Sequence, residues 1–387
     1  MKTKIKGLFA QLEDPIFLEK LGIVGCGMCA VMFLGGDIFL SNYGKMAEWI
    51  GAAIAIFPLG IKLLFTKYEF REILIGIILL ACGMLHFYFT RSVYFFLDVF
   101  VIFSLKNIDC RRVMKNTIVI GAITIAVVAL LSYFGFGGEF SYLKPSEDPN
   151  RVFYKLGFPH ENQWHTLLAG LTITFLSMNV KKVSIIWYPV IIAFHYGFYC
   201  LSTTKVAMAG VVVGMFLIQL FYRLPVLLNS KVFRVLIETF YWGLVAFAFL
   251  SAILFGKIPV LNSVNQWLTG RLFLGKRAFE TIPFTLFGTA AQEDLFLDNC
   301  FLHVFFYWGS VALVLGVIAY FLLLRKAVQR KNYQLVALIL FYCICGSVEG
   351  SFMYKVFKNS TLLLISAVIF RANDGQLDMD LGAEIKE

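Results

Sequence analysis

The sequence predicts an all-α, polytopic integral membrane protein with about twelve transmembrane helices and two long extracytoplasmic loops. Hydrophobic residues make up 59% of the 387 positions and charged residues 15%, whereas a soluble domain keeps roughly a quarter of its residues charged. Apolar runs of about 16–24 residues recur along the chain without period-2 alternation. Because unpaired backbone groups are costly in hydrocarbon, such runs are expected to fold as helices.

The apolar runs leave no room for a sizeable soluble domain. We therefore expect one transmembrane domain, residues 1–370, followed by an acidic, disordered cytoplasmic tail, residues 371–387. The last predicted span is the weakest, because Lys355 and Lys358 interrupt it. The predicted spans are residues 21–40, 47–65, 73–89, 92–105, 117–136, 165–180, 183–198, 206–222, 235–255, 301–324, 333–350 and 354–370.

The basic residues predict the orientation of these spans. With the N-terminus in the cytoplasm, roughly two thirds of the 34 lysines and arginines fall on the cytoplasmic side, and most of the others lie in the two long loops. The formal net charge of +10 is therefore a topology signal and does not indicate nucleic-acid binding. Both termini are expected to be cytoplasmic.

The two long loops are residues 137–164 and 256–300, and both are predicted to lie outside. Loops of this length are usually functional or disordered. Aromatic and aliphatic residues are mixed with their charges, so we expect them to fold onto the outer face of the membrane. The cysteines lie mostly in apolar runs without metal-ligand spacing, which indicates core residues.

The first loop collects polar side chains immediately before a predicted span. These are Arg151, Lys155, His160, Glu161 and His165. A guanidinium matches phosphate oxygens bidentately, and an imidazole or carboxylate close to it can accept a proton. The alternative is that the histidines are ordinary interfacial polar residues. Two histidines five residues apart are a weak metal signal, and no metal site is predicted.

The second loop contains a Thr-Gly-Arg turn that ends at Arg271. Arg271 could bind an anion, or its side chain could extend along the membrane interface. Lys276 and Arg277 precede Glu280 by one helical turn, so they are expected to form ordinary surface pairs.

Three further polar residues lie at the ends of predicted spans. Asp298 and Asn299 either contribute to a site or cap the tenth span. Glu349 is an ionisable residue in an apolar span, where such residues are usually functional, although it could pair with Lys355 or Lys358.

The order of these features resembles the Wzy-type polysaccharide polymerases, within the superfamily that includes the O-antigen ligases. The resemblance covers roughly residues 70–370. It depends on Lys-Asn-Ile-Asp-Cys-Arg-Arg at 106–112, Gly-Phe-Pro-His-Glu-Asn at 157–162, Thr-Gly-Arg at 269–271, Leu-Phe-Gly at 286–288, Asp-Asn at 298–299, and Glu349 followed by Asn359.

The resemblance implies a GT-C-like membrane glycosyltransferase in the bacterial cytoplasmic (inner) membrane. Its substrate would be an undecaprenyl-diphosphate-linked oligosaccharide, polymerised on the outer face into O-antigen, capsule or exopolysaccharide. No cofactor is implied, and the expected partners are the lipid bilayer and the flippase and chain-length regulator of the same pathway. The implied catalytic residues are His160, His165, Glu161 and Asp298, and the implied diphosphate- or glycan-binding residues are Arg271, Arg151, Asn299 and Glu349.

Two alternatives stay open at this point. A ligase of the same superfamily would transfer a finished glycan to a lipid or cell-wall acceptor, and the sequence does not separate it from a polymerase. A secondary transporter or flippase would place ionisable residues or broken helices at mid-membrane. Asp37 and Asp98 fit that second pattern, whereas the other polar candidates lie in the outer loops.

Overall fold

The computed structural model describes residues 14–36, 45–144, 148–290, 295–352 and 355–377. The N-terminal arm up to residue 13, Asp37, and residues 378–387 of the predicted tail lie outside this range. The α-helices are α1 (Pro15–Val31), α2 (Lys45–Phe65), α3 (Phe70–Thr90), α4 (Tyr94–Ser104), α5 (Cys110–Tyr133), α6 (Glu161–Met178), α7 (Trp187–Ser202), α8 (Lys205–Arg223), α9 (Lys231–Leu254), α10 (Pro259–Trp267), α11 (Arg271–Thr281), α12 (Cys300–His303), α13 (Ser310–Gln329), α14 (Tyr333–Gly346) and α15 (Ser366–Ile369).

Shorter elements connect these helices. Strands β1 (Ser141–Lys144) and β2 (Asp148–Tyr154) form an antiparallel hairpin in the first long loop. The sequence did not predict this hairpin. The remaining elements are π-helical turns at Met32–Gly36 and Val304–Trp308 and 3₁₀ helices at Pro225–Asn229, Gly350–Phe352, Ser360–Ile365 and Arg371–Leu377.

Within the described residues, six helices are long and apolar enough to cross a membrane. They are α1 with its following turn, α3, α5, α8, α9 and α13. Four further apolar helical stretches are shorter: Trp49–Phe65, Tyr94–Ser104, Tyr333–Gly346 and Ser360–Ile369. The helical class of the chain is confirmed, and these six helices are candidate membrane spans by length and composition, whereas the predicted count of about twelve spans is not confirmed.

Helix α5 shows why these helices require a lipid environment. Val119, Ile123, Val127 and Leu130 follow one another at three- or four-residue spacing, and all four are exposed. Residues at this spacing share one face of a helix. A continuous apolar stripe of this kind is unfavourable in water and indicates a surface that faces lipid.

Helix α14 forms the centre of the bundle. It packs against α6, α8 and α13, and nearly all of its side chains are buried. The 3₁₀ helix Ser360–Ile365 lies against α4, α5 and α13, so the interior is filled by the C-terminal part of the chain. This arrangement keeps α14 away from lipid although its sequence is as apolar as that of the outer helices.

The segments predicted to be cytoplasmic contact one another at one end of the bundle. Lys106, at the start of the predicted basic turn, forms a buried ion pair with Glu72. Asp374 pairs with Arg330, and Asn373 donates 2.8 Å to the carbonyl of Leu105. Residues 371–377 are therefore folded, which corrects the prediction of a disordered tail over these seven positions.

Two predicted spans are not continuous helices. The tenth is interrupted at Gly309, where φ is +96° between the Val304–Trp308 turn and α13. The last, predicted over 354–370, contains only the Ser360–Ile365 3₁₀ helix and the four residues of α15. Non-helical backbone is tolerated at membrane depth where protein covers it, and Ser360, Thr361 and Leu363 are buried.

Candidate functional site

The Thr-Gly-Arg turn places Arg271 at the first position of α11. Thr269 and Gly270 both have left-handed backbone, with φ of +55° and +89°. Asn265, near the end of α10, accepts from the N–H groups of Leu272 (2.9 Å) and Phe273 (3.1 Å) through Oδ1. Those N–H groups have no partner within α11, so Asn265 joins α10 to α11 and fixes the direction in which Arg271 leaves the helix.

Arg271 bridges two carboxylates that come from distant parts of the chain. Its Nε donates 3.0 Å to Oδ2 of Asp298, and its Nη2 donates 3.0 Å to Oε2 of Glu349. The exposed fractions of the three side chains are 12%, 20% and 4%. We call Arg271, Asp298 and Glu349 the Arg271 cluster. Glu349 thus pairs with Arg271, which was not among the partners that the sequence suggested.

The Arg271 cluster carries one net negative charge when both carboxylates are ionised. Burial raises the pKa of Asp298 above its ordinary value, and the charges of Arg271 and His160 only partly oppose that rise. Burial has this effect because a charged carboxylate loses water that nearby groups do not fully replace. Asp298 therefore takes up a proton more readily than an exposed aspartate.

Asn299, next to the cluster, is a helix cap. Its Oδ1 accepts from the N–H groups of Phe301 (3.0 Å) and Leu302 (3.2 Å). Its Nδ2 donates 2.6 Å to the carbonyl of Ser347, just beyond α14. Asn299 thus holds the start of α12 against the end of α14, which keeps Asp298 and Glu349 on the same side of Arg271. The capping alternative is confirmed for Asn299.

His160 and Glu161 form a second polar group at the start of α6. Nδ1 of His160 lies 3.1 Å from Oε2 of Glu161, and Tyr142 donates 2.9 Å to the same oxygen. The Glu161 side chain is buried, whereas that of His160 is 55% exposed. Nδ1 of His160 also lies 3.5 Å from the backbone nitrogen of Asn162, a distance at the limit for a capping bond.

The short distance between His160 and Glu161 determines where a proton lies. A proton on Nδ1 makes this 3.1 Å contact attractive, because the imidazole then presents an N–H group to the carboxylate oxygen. In the neutral imidazole this places the proton on Nδ1 and leaves the lone pair on Nε2. The longer contact, with the backbone N–H of Asn162, uses the Nδ1 lone pair instead, so the two contacts belong to different proton positions on the imidazole.

The two polar groups belong to one region. The 3₁₀ helix Gly350–Phe352, which follows Glu349 directly, contacts both α6 and α12, and the charge of His160 opposes the rise in the pKa of Asp298. The first loop, the second loop and the end of α14 thus supply side chains to one place at the predicted outer end of the bundle. This convergence brings five of the predicted site residues together: His160, Glu161, Arg271, Asp298 and Glu349.

Arg151 and His165 lie elsewhere. Arg151, on β2, donates 3.1 Å to the carbonyl of Cys200 and lies over the ring of Phe153. Its role as a diphosphate ligand stays a prediction. The structure does not support His165 as a base that contacts substrate, because its imidazole is fully buried.

His165 belongs to a chain of buried hydrogen bonds that the sequence did not predict. Its Nδ1 lies 2.9 Å from Oγ of Ser202, and its Nε2 lies 3.2 Å from Nδ1 of His195. His195 continues to Thr172 through a 3.1 Å contact. These groups satisfy one another between α6 and α7, as buried polar groups normally do.

Sequence reasoning missed two residues that hold parts of the long loops in place, Tyr142 and His86. Tyr142 is one of 17 tyrosines, and no motif distinguished it from the others. Nδ1 of His86, buried on α3, lies 3.1 Å from the carbonyl of Phe287 and so fixes the second loop to the bundle. The segment Ser-Tyr-Leu-Lys at 141–144 does not alternate apolar and polar residues, so it gave no strand signal.

Among the described residues, no group of three or more His, Cys, Asp or Glu side chains could hold a metal ion. None of the eight cysteines, all within the described range, forms a disulfide. Comparison of the chain with models of protein families, with curated proteins and with solved structures returns no match.

Proposed function

We propose that this protein is a GT-C-like glycosyltransferase of the bacterial cytoplasmic membrane that polymerises lipid-diphosphate-linked oligosaccharide repeat units on the outer face. The observation that carries this proposal is the convergence of the His160–Glu161 pair with the Arg271 cluster at the ends of the two long loops. A proton acceptor next to a guanidinium suits a reaction in which a hydroxyl attacks and a diphosphate leaves.

The proposed reaction assigns a step to each group. The hydroxyl at the non-reducing end of the acceptor glycan gives its proton to Nε2 of His160, which Glu161 orients through Nδ1. The hydroxyl oxygen attacks the anomeric carbon of the donor glycan, and the bond from that carbon to the diphosphate oxygen breaks. The lipid diphosphate leaves with the electron pair, and Arg271 stabilises its growing negative charge.

The charge balance of the Arg271 cluster has to change when a diphosphate binds. With Asp298 and Glu349 both ionised, the cluster repels an anion. Because burial raises the pKa of Asp298, its carboxyl can take up a proton as the diphosphate approaches, and Arg271 is then shared between Glu349 and the phosphate oxygens. A neutral Asp298 can in turn donate a hydrogen bond to the glycan.

An apolar cavity close to the cluster can hold part of the lipid. Its volume is about 130 Å³, and it lies between α4, α9, α13 and the Ser360–Ile365 segment. Cys300 and Phe301, which follow Asp298 and Asn299 directly, line it. An apolar space of this kind suits the tail of a lipid-linked substrate better than a free sugar.

Reconstitution tests the proposal. The purified protein is placed in liposomes with the lipid-diphosphate repeat unit extracted from a strain that lacks the gene, and the products are separated by length. We expect a ladder of polymers from the wild type and single repeat units from His160→Gln. An absence of longer glycans with the wild type overturns the proposed polymerase.

The same deletion strain separates polymerase from ligase. Loss of a polymerase leaves single repeat units attached to their acceptor, whereas loss of a ligase leaves long chains that are not attached. A gel profile of the surface polysaccharide, with and without the complementing gene, distinguishes the two outcomes.

A transporter or flippase is the second candidate, and one observation favours it. Asp98 is buried on α4, lines the apolar cavity, and accepts 3.3 Å from the backbone N–H of Val356 in the non-helical C-terminal segment. Ionisable groups beside interrupted helices are typical of transport sites. A flippase would move the labelled lipid-linked unit across the liposome membrane without changing its length.

A further inference from the structure

We propose that Tyr142, on strand β1, is a positioning residue that holds Glu161 against His160. This inference rests on the proposed function, because it assigns Tyr142 to the candidate proton acceptor of the glycosyl transfer. Tyr142 does not belong to the resemblance described above, and its placement depends on the hairpin that only the structure shows.

Tyr142 and His160 bind the same carboxylate oxygen. The hydroxyl of Tyr142 donates 2.9 Å to Oε2 of Glu161, and Nδ1 of His160 lies 3.1 Å from that oxygen. Two donors on one oxygen fix the plane of the carboxylate more firmly than one donor does. The orientation of His160, and therefore the direction of its Nε2 lone pair, depends on that plane.

The hairpin fixes the ring of Tyr142 from both sides. Tyr142 pairs with Phe153 across the two strands, and their ring centroids are 5.8 Å apart. Nζ of Lys155 lies 4.4 Å from the centroid of the Tyr142 ring and pairs with Glu139 at 2.7 Å. A cation over an aromatic ring is attracted by the electron density of its face. The ring therefore has little freedom to leave Glu161.

The hairpin holds Tyr142 next to Glu161, a position that an irregular loop would not fix. Glu161 and His160 are adjacent in sequence, and both lie at the start of α6, where side chains can adopt several rotamers. Tyr142, 19 residues earlier in the chain, supplies the contact that selects one of them. Removing its hydroxyl leaves Glu161 with fewer donors and His160 with a less certain orientation.

The effect of this change is measurable. A hydrogen bond to a charged group is worth a factor of about ten or more in an equilibrium constant. We expect Tyr142→Phe to lower kcat for polymerisation about tenfold with little change in KM, because the hydroxyl contacts Glu161 and does not contact the substrate. Tyr154→Phe is the matched control, since Tyr154 lies on β2 of the same hairpin and uses its carbonyl to accept from Trp164.

A double-mutant cycle separates positioning from simple support of the hairpin. If Tyr142 acts through Glu161, Tyr142→Phe should have almost no further effect on kcat in a Glu161→Ala protein. If Tyr142 only supports the fold, the two losses should multiply. Multiplying losses overturn the inference, whereas the proposed function stands as long as the wild type makes polymer.

A second measurement does not need activity. The chain has five histidines, so ¹⁵N-histidine spectra of the detergent-solubilised protein are simple, and His160→Gln identifies the His160 signals. We expect the proton of neutral His160 on Nδ1 in the wild type and in Tyr154→Phe, and a mixture of both tautomers in Tyr142→Phe. Identical His160 spectra in all three proteins overturn the inference, even if the wild type proves inactive as a polymerase.

Discussion

Arg271 donates to two carboxylates that are mostly buried, and this double contact gives it two separable duties. In the proposed reaction it contacts the diphosphate. In the resting protein it offsets one of the two charges of Asp298 and Glu349, and breaking a buried pair by removing one partner costs about 3–5 kcal/mol. A change at Arg271 therefore affects both activity and stability, and only a suitable pair of substitutions can distinguish the two.

We expect Arg271→Lys to lower polymerisation about 100-fold while the protein stays folded. An ammonium keeps the charge, but it cannot reproduce the planar, two-sided contact. Arg271→Ala should abolish polymer and should also lower the unfolding midpoint, because two buried carboxylates then face each other without a cation. Polymer length on gels and thermal unfolding in detergent measure the two effects.

Lys276→Ala is the control for both substitutions. Lys276 pairs with Glu280 at 3.8 Å on the exposed side of α11, and such surface pairs contribute little to stability. Its polymer and its unfolding midpoint should match those of the wild type. Normal-length polymer from Arg271→Lys would contradict the assignment of Arg271 to the site.

Because its pKa is raised, Asp298 should make the stability of the folded protein depend on pH. The folded protein holds the Asp298 proton more tightly than the unfolded chain, whose aspartate titrates near its ordinary value of 3.8. The folded state therefore binds more protons above that pH, and the contribution of Asp298 to stability falls as pH rises through this window. Asp298→Asn removes this titration.

We accordingly expect the unfolding midpoint of Asp298→Asn, relative to that of the wild type, to increase from about pH 4 toward neutral pH. Thermal unfolding of the two proteins in detergent over this range provides the measurement. A difference in midpoint that is constant across the range, or that shrinks as pH rises, would show that the carboxyl is not destabilised by its surroundings.

The Leu-Phe-Gly segment at 286–288 ties the second loop to the helix bundle through backbone hydrogen bonds. Its backbone pairs with the break before α13: Ser310 donates 3.1 Å to the carbonyl of Thr285, and Val311 donates 3.2 Å to that of Leu286. Gly288 and Gly309 face each other at this junction, with φ of +92° and +96°. A motif that the resemblance associated with function thus has a structural duty here.

We expect Gly288→Ala to destabilise the protein by about 2–4 kcal/mol. The new Cβ would overlap the carbonyl of Tyr307, and the alanine would have to adopt a left-handed backbone conformation. Denaturant or thermal unfolding in detergent provides the measurement. Gly243→Ala is the matched control, because its Cβ would meet nothing within 4 Å on α9 and should stabilise that helix slightly. Equal midpoints for the two variants would contradict the tight junction.

At the scale of the whole molecule, the contacts divide the loops into two groups. The pairs Glu72–Lys106 and Arg330–Asp374 lie at the predicted cytoplasmic end, whereas Arg271 and Glu349 pair at the predicted outer end. The chain from Glu349 to Asp374 connects these two groups of contacts. It does so as short 3₁₀ and helical pieces inside the protein instead of as a lipid-facing helix.

Thiol labelling tests the orientation of these two ends. In a Cys200→Ser background, which removes the exposed native thiol, Ser263→Cys on α10 should react with a membrane-impermeant maleimide in intact cells. Ser184→Cys, at the predicted cytoplasmic end of the seventh span, should react only after the membrane is permeabilised. Labelling in the opposite order would reverse the predicted orientation and would place the Arg271 cluster inside.

The sequence by itself determined the helical membrane class and most members of the candidate site. Run length and the scarcity of charge suffice for the class, because the cost of unpaired backbone in lipid applies to each segment separately. His160, Glu161, Arg271, Asp298 and Glu349 were identifiable because charged residues are rare in this chain and stand out near span ends.

Only the tertiary structure decided which of these residues act together. Arg271 pairs with Glu349 across 78 residues, whereas His165 turns away from His160 although the two are close in sequence. A side chain's partner depends on how helices pack and where the chain returns, and neither follows from local spacing. The hairpin that places Tyr142 against Glu161 is local, but neither of its strands shows the alternation of apolar and polar residues that would have predicted it.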